Sequence, residues 1–205
     1  MNLSELVMKY SDVKNKPILY DKDLNLPKPY LGYATFGRDY SEDILNEFIK
    51  RYIITDSKFI NLIGSTNRAR SSIHIRLTDY IDNNYKFDFY YYLKCCFDNI
   101  PRDITDIDVY SDDINTAKEL YDDILHTRFS CVNYIKNDTV TDLYLLSMYK
   151  YKILWNSTFS YWSGYISNVI YNYDNLILVP NFHFKLLLKG LAWHLNPKWS
   201  IIKVV

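Results

Sequence analysis

The sequence contains little glycine and no glycine-rich phosphate motif. Glycine accounts for 5 of the 205 residues, and neither GxGxxG nor GxxxxGK[ST] follows a predicted strand. The sequence therefore supports neither a classical dinucleotide-binding fold nor a P-loop nucleotide hydrolase. An HExxH motif, a nucleophile elbow and a Cys/His pair are also absent. We interpret His126, His183 and His194 as structural or surface residues.

The sequence also lacks an excess of charge and a long apolar run. Lys and Arg together number 24, as do Asp and Glu, so no overall field attracts nucleic acid or an anionic membrane. An anionic ligand therefore needs a local site. No apolar run is long enough to span a membrane, and the N-terminus lacks the apolar core of a signal peptide. We expect a cytoplasmic protein that binds no nucleic acid; peripheral membrane association stays open, although no visible segment encodes it.

Cysteine is scarce, and its spacing does not indicate a metal site. Cys95, Cys96 and Cys131 form an odd set without metal-ligand spacing, so we predict reduced, buried thiols. Tyrosine, in contrast, is abundant, with 21 residues. Because basic residues do not alternate with these rings as a nucleic-acid groove requires, we interpret the tyrosines as packing residues.

Apolar runs of strand length alternate with amphipathic segments of helix length. The predicted strands are SSIHIRL, TDIDVYS, RFSCV, KILWNS and NLILVP. The predicted helices cover Lys86 to Asn99, Ile114 to Asp123, Thr141 to Tyr149 and Phe159 to Val169. This alternation is typical of the α/β class, with a Rossmann-like parallel sheet covered by helices on both faces.

An amphipathic surface helix is predicted ahead of the first strand. Ser41 is a suitable N-cap for it, and its apolar stripe comprises Ile44, Leu45, Phe48, Ile49 and Tyr52. We divide the chain into a lead-in of residues 1–66, which contains this helix, and a Rossmann-like domain of residues 67–205.

Polar side chains follow three of the predicted strands. Ligands of open parallel sheets bind beyond the carboxyl ends of the strands, so these residues are candidates for a site. The first strand ends in His74, Arg76 and Asp79. A guanidinium can hold a phosphate in a bidentate fork, and Asp79 can orient it. The alternative is a surface arginine followed by a turn-forming aspartate.

The second strand delivers Ser111, Asp112 and Asp113 to the same edge. A carboxylate there can accept hydrogen bonds from a guanine edge or a ribose diol, or it can cap the next helix. Capping explains one of the two acids, and the other points to a ligand.

The third strand leads into Asn156, Ser157, Thr158 and Ser160 at a strand-to-helix junction. Free amide groups at a helix N-terminus bind anions, although the hydroxyls can also serve as redundant caps. An arginine facing such a junction suits a diphosphate.

Three segments, read in order, resemble the motifs of the alpha-1,2-fucosyltransferase family, glycosyltransferase family 11. HIRLTDY (His74 to Tyr80) resembles HxRRxDY, YSDD (Tyr110 to Asp113) resembles FSDD, and DLYLLSMYKYKILWNSTFSYWSGYIS (Asp142 to Ser167) is similar to DxxLMSxCxHxIxxNSxFSWWxAxL. The resemblance runs from about Tyr30 to the C-terminus. It implies an inverting transferase of the GT-B type, with residues 67–205 as its donor-binding lobe, that moves L-fucose from GDP-fucose to the 2-hydroxyl of a galactoside in glycan synthesis, such as that of O-antigen or capsule.

The resemblance also implies roles for single residues. Arg76 would hold the donor diphosphate, and His74 with Asp112 or Asp113 would recognise the guanosine end. The full donor-binding set would be His74, Arg76, Ser111, Asp112, Asp113, Asn156, Ser157, Thr158 and Ser160. Arg76 and Asp79 would be the catalytic candidates, with no metal and no cofactor beyond the GDP-fucose donor.

Two departures from the family pattern stand out. Leu77 occupies the position of the second motif arginine, and Arg68, Arg70 or Asn156 are candidates to replace it. Residues 1–40 contain nothing like the glycine-rich GGLGNQ motif of the family's first lobe. We therefore expect that most of this lobe is missing and that residues 1–66 are its remnant, as in a truncated, degenerate or split transferase whose N-terminal half is encoded separately.

Two other functional classes stay open. The first is a nucleotide-binding or partner-binding module without transferase activity. The second is a receiver-like regulatory domain, since paired acids at a strand end also hold magnesium. We rank this last, because Lys150 and Lys152 precede a strand instead of following one.

Overall fold

One parallel sheet organises the protein. The computed structural model describes residues 42–63, 70–78, 88–181, 196 and 198–203. Its strands are β1 Ser71–Ile75, β2 Asp106–Ser111, β3 Cys131–Ile135, β4 Tyr151–Ile153, β5 Leu176–Pro180 and β6 Ser200–Ile202. They lie in the order β3-β2-β1-β4-β5-β6, and every neighbouring pair is parallel. The predicted Rossmann-like α/β fold is confirmed.

This strand order creates a crevice between β1 and β4. The chain builds the sheet outward from β1 to β3 and then returns to the other side of β1 with β4. Connections on the two sides of this point run in opposite directions, so a crevice opens at the carboxyl ends of β1 and β4.

Helices cover both faces of the sheet, as predicted. They are α1 Glu42–Phe48, which continues as a π-helix Ile49–Ile53, and α2 Ser57–Ile63, α3 Phe89–Asn99, α4 Ile114–His126, α5 Thr139–Ser147 and α6 Thr158–Tyr171. One apolar core joins α3 and α4 to the sheet. A second core joins α1, the π-helix, α2, α5 and α6 to the opposite face. No helix in the described ranges is long and apolar enough to cross a membrane.

The predicted lead-in helix differs from the observed one. Leu45 and Ile49 are buried as expected, but Ile44 is 41% and Tyr52 36% exposed, and Ile53 is buried instead. The π-helical turn takes up one more residue per turn than an α-helix. This extra residue brings Ile53, and not Tyr52, onto the buried side. The proposed N-cap Ser41 lies outside the described residues.

The third strand and the last strand were predicted less well. RFSCV was expected to form a strand, yet Phe129 lies in the turn that ends α4, with its amide bonded to the Leu125 carbonyl at 2.9 Å. Its side chain is buried there, which explains the strand-like pattern. β6 was not predicted, and β4, predicted as Lys152 to Ser157, spans Tyr151–Ile153. Of the thiols predicted to be buried, Cys96 is buried, whereas Cys131 is exposed.

A polar layer crosses the interior of the sheet. Asp108, Ser72 and Lys152 are buried and lie in register on β2, β1 and β4. Asp108 accepts a hydrogen bond from Asn133 Nδ2 at 2.9 Å and another from the Tyr149 hydroxyl. Lys152 Nζ donates to the Ser147 carbonyl at 3.0 Å and to Ser167 Oγ at 2.8 Å. Because buried charges are stable only with such partners, this layer fixes α5 and α6 on the sheet.

Gly164 allows α6 to pack closely against Trp199. A Cβ atom at position 164 would lie 2.7 Å from Trp199 Cζ2. We therefore expect Gly164→Ala to lower the free energy of unfolding by about 1 kcal/mol, since overpacking costs more than the roughly 1 kcal/mol that alanine gains in a helix. Denaturant unfolding measures the change. Trp199→Phe provides the control: if the clash is the cause, Gly164→Ala will cost less in that background, and equal costs would contradict it.

Candidate functional site

The three predicted strand ends meet at the carboxyl edge of the sheet. His74 Nδ1 and Ser160 Oγ lie 2.6 Å apart, so the end of β1 contacts the first turn of α6. Arg76 Nη1 lies 3.2 Å from Asp112 Oδ2, so the same segment also contacts the end of β2. The site therefore forms around His74 and Arg76. Asp79 lies outside the described residues.

Asp112 holds the turn that follows β1. Its carboxylate accepts hydrogen bonds from the amides of Leu77 at 2.9 Å and Thr78 at 3.1 Å and from the Thr78 hydroxyl. Burial would raise the pKa of this carboxyl, but these hydrogen bonds and the Arg76 charge together hold the pKa below its usual value. Asp112 is thus ionised and orients Arg76. Asp112 does not cap a helix, but it has these partners within the protein. Its contact with a nucleotide stays a prediction.

Asp113 is the N-cap of α4. Its carboxylate accepts hydrogen bonds from the Thr116 amide at 3.1 Å and from the Thr116 hydroxyl at 2.7 Å. The hydroxyl and amide of Thr116 lower the pKa of this carboxyl. Ser111 Oγ accepts from the Asp113 amide at 3.1 Å, which tightens the same turn. The capping role that the sequence left open is therefore present.

The junction between β4 and α6 has a buried part and a rim. Asn156 Oδ1 accepts a hydrogen bond from the Tyr161 hydroxyl at 2.8 Å, and Ser160 bonds to His74, so both are engaged inside the protein. Ser157 and Thr158 are half-buried at the rim. Among the described residues, the Ser157 side chain makes no capping hydrogen bond, although Ser157 is the N-cap. The first turn of α6 thus presents amide groups of the kind that bind anions.

His74 is a neutral connector between β1 and α6. Its ring is buried and packs against Phe159, with 4.8 Å between the ring centroids. Burial, with help from the charges of Arg76 and Lys136 and against that of Asp112, lowers the pKa of His74 to about 3. The imidazole is therefore uncharged near neutral pH. Its hydrogen bond seats the first turn of α6, and a contact with the guanosine end stays a prediction.

Leu77, at the position of the family's second arginine, belongs to the apolar core. Its side chain is 2% exposed and packs in the core beneath α3 and α4. Arg70, one candidate replacement, pairs with Asp103 and Asp106 at the amino ends of β1 and β2, which is the edge opposite the site. Arg68 lies outside the described residues.

Sequence reasoning missed Lys136. This residue follows β3, and its Nζ donates to the carbonyls of Ser111 at 3.1 Å and Asp112 at 3.3 Å. The prediction ended the third strand at Val132, whereas β3 ends at Ile135. A correctly placed strand would have shown Lys136 as a polar strand-end residue.

A metal site does not emerge from this edge. Within the ranges that the structure describes, no group of three or more His, Cys, Asp and Glu residues is arranged to hold a metal ion. What the edge offers is an arginine oriented by a carboxylate, a lysine and a helix N-terminus. Such a set can bind an anion.

The neutrality of His74 predicts how stability depends on pH. In the unfolded chain a histidine binds a proton at about pH 6.5, whereas folded His74 does so only at about pH 3. Acid therefore removes stability across this window, by up to roughly 1.4 kcal/mol per pH unit. The His74→Gln variant has no histidine to protonate here and does not lose this stability. The difference in unfolding free energy between the wild type and the variant should therefore shrink between pH 7 and about pH 4.5.

Denaturant titrations at several pH values measure this deficit. Ser160→Ala is the matched control, because it removes the same hydrogen bond without removing a titrating group. Its deficit should be the same at every pH. A deficit of His74→Gln that is also independent of pH would contradict a buried, neutral histidine.

Comparison with known proteins identifies the family. The model of Glycosyl transferase family 11 matches residues 9–179. An alpha-1,2-colitosyltransferase of Escherichia coli is 31% identical over 144 residues, which cover 63% of this chain and 47% of that protein. The chain thus matches about half the length of this curated relative. The matched family range covers most of the chain and includes the ends of β1, β2, β3 and β4: the chain belongs to glycosyltransferase family 11.

Proposed function

We propose that the protein transfers a 6-deoxy sugar, L-fucose or colitose, from its GDP derivative to the 2-hydroxyl of a galactoside, with inversion. L-Fucose is the sugar that the sequence motifs imply, and colitose is the one that the name of the Escherichia coli relative gives. The two sugars differ by one hydroxyl group. Synthesis of a surface glycan such as O-antigen or capsule is the process we propose for this transfer.

The observation that carries the proposal is Arg76, which follows β1 and is held by Asp112 at the end of β2. Asp112 holds its guanidinium at 3.2 Å, and His74, two residues earlier, connects the same segment to the first turn of α6. A guanidinium and the amides of a helix N-terminus both favour phosphate oxygens. A diphosphate in the crevice between β1 and β4 would lie between them.

The same groups suit the chemistry of an inverting transfer. As the acceptor hydroxyl attacks C1 of the donor sugar, the bond to the diphosphate breaks and negative charge grows on the departing GDP. Arg76, the amides of α6 and the hydroxyls of Ser157 and Thr158 would stabilise this charge. A base must accept the proton of the acceptor hydroxyl, and Asp79 remains our candidate.

The alternative function is a GDP-binding or partner-binding module without transferase activity, such as one half of a split transferase. It uses the same crevice, so nucleotide binding alone does not separate it from an enzyme. Turnover does.

We expect Arg76→Ala to weaken GDP binding by about tenfold to a hundredfold, since a charged hydrogen bond to phosphate is lost. Isothermal titration with GDP and ADP measures the effect, and the wild type should prefer GDP. Arg70→Ala is the matched control, because Arg70 pairs with Asp103 at the opposite edge. Equal binding of GDP and ADP by the wild type, or unchanged GDP binding by Arg76→Ala, would refute the donor site.

Turnover should depend on both donor and acceptor. We expect the full chain to release GDP from GDP-fucose or GDP-colitose only when a galactoside such as lactose is present, and the product to carry an alpha-1,2 linkage. A coupled assay for GDP and nuclear magnetic resonance of the product test this. Tight binding of GDP without any turnover would favour the alternative module.

A further inference from the structure

We propose that Lys136 is a second cation of the donor site and that it binds a phosphate group of the nucleotide together with Arg76. This inference rests on the proposed function, because it concerns the same nucleotide. Lys136 lies outside the three motif segments, His74 to Tyr80, Tyr110 to Asp113 and Asp142 to Ser167.

The position of Lys136 Nζ supports the proposal. Lys136 follows β3, but its side chain reaches over the end of the neighbouring β2, where Nζ donates to the carbonyls of Ser111 and Asp112 at 3.1 and 3.3 Å. Arg76 approaches the same Asp112 through its carboxylate, at 3.2 Å. The two cations are therefore neighbours at the end of β2, one strand away from the crevice.

The charges at this edge also call for a second cation. The Asp112 carboxylate balances the charge of Arg76, and Asp113 adds another negative charge at the start of α4. His74 adds no positive charge near neutral pH, since it is buried and uncharged. Without Lys136, these side chains would sum to one negative charge, which would repel a diphosphate. Lys136 cancels this charge.

Lys136 is available to a ligand. Its side chain is exposed, and in the described part of the chain Nζ donates hydrogen bonds to the two carbonyls. Its charge also acts on the Asp142 carboxylate. An ammonium group has three N–H donors, so one donor is left for a phosphate oxygen. Lysine commonly binds phosphate in this way, as a compact point charge.

The competing explanation is purely structural: Lys136 would satisfy the carbonyls at the end of β2 and nothing more. The two explanations differ in what they predict for nucleotides of different charge. A phosphate contact affects GDP but not guanosine. A structural contact affects both, since it acts through the shape of the site.

Isothermal titration of the full chain with GDP, GMP and guanosine separates these explanations. We expect Lys136→Gln to weaken GDP binding by about tenfold and guanosine binding by less than about twofold. It should also flatten the dependence of GDP affinity on salt. Lys136→Arg should retain most of the affinity. Lys150→Gln is the matched control, since Lys150 pairs with Asp174 at the amino edge of the sheet, before β4.

The outcomes are decisive in both directions. Loss of GDP affinity with guanosine unchanged supports the proposal, and the GMP titration then shows which phosphate the lysine contacts. Equal weakening of GDP and guanosine, a large fall in the melting temperature, or unchanged GDP binding overturns it. If the wild type does not prefer GDP to ADP, the proposed function fails and this inference fails with it. If the wild type prefers GDP and Lys136→Gln binds it normally, only the inference fails.

Discussion

The Asp112 carboxylate determines the shape of the candidate site. It accepts hydrogen bonds from two successive backbone amides after β1 and pairs with Arg76. These contacts connect the ends of β1 and β2 and fix the direction in which the chain leaves the sheet. The guanidinium is thereby held against the end of β2. A carboxylate with so many donors is also stable as an anion although it is half-buried, so its structural role requires no other counterion.

Leu77 lies where the family motif HxRRxDY has its second arginine. Leu77 packs in the apolar core beneath α3 and α4, and its backbone amide still bonds to Asp112. The turn after β1 thus keeps its hydrogen bonds with a leucine at this position, because they use the main chain. The leucine does not provide the positive charge that an arginine would bring.

Much of the fold follows from the sequence, since β1, β2, β4 and β5 contain buried apolar residues and are followed by polar ones. The meeting of His74, Arg76, Asp112 and Ser160 follows from the rule that parallel strands expose their carboxyl ends on one edge. The wrong predictions concern features that a local sequence pattern does not encode. Phe129 is buried in a turn, so the predicted third strand began too early. It also ended too early, at Val132, and Lys136 was therefore not recognised as a residue at a strand end. The π-helix at Ile49–Ile53 changes the buried side of a helix whose stripe looked regular.

The hydrogen bond between His74 and Ser160 is made within the protein and needs no ligand. Since it joins a central strand directly to the first turn of α6, neither element can shift alone when an anion binds. An anion that binds at the first turn of α6 would meet a preorganised site, so little conformational entropy would be lost on binding. Differences in affinity among related donors should then arise mainly in their dissociation rates.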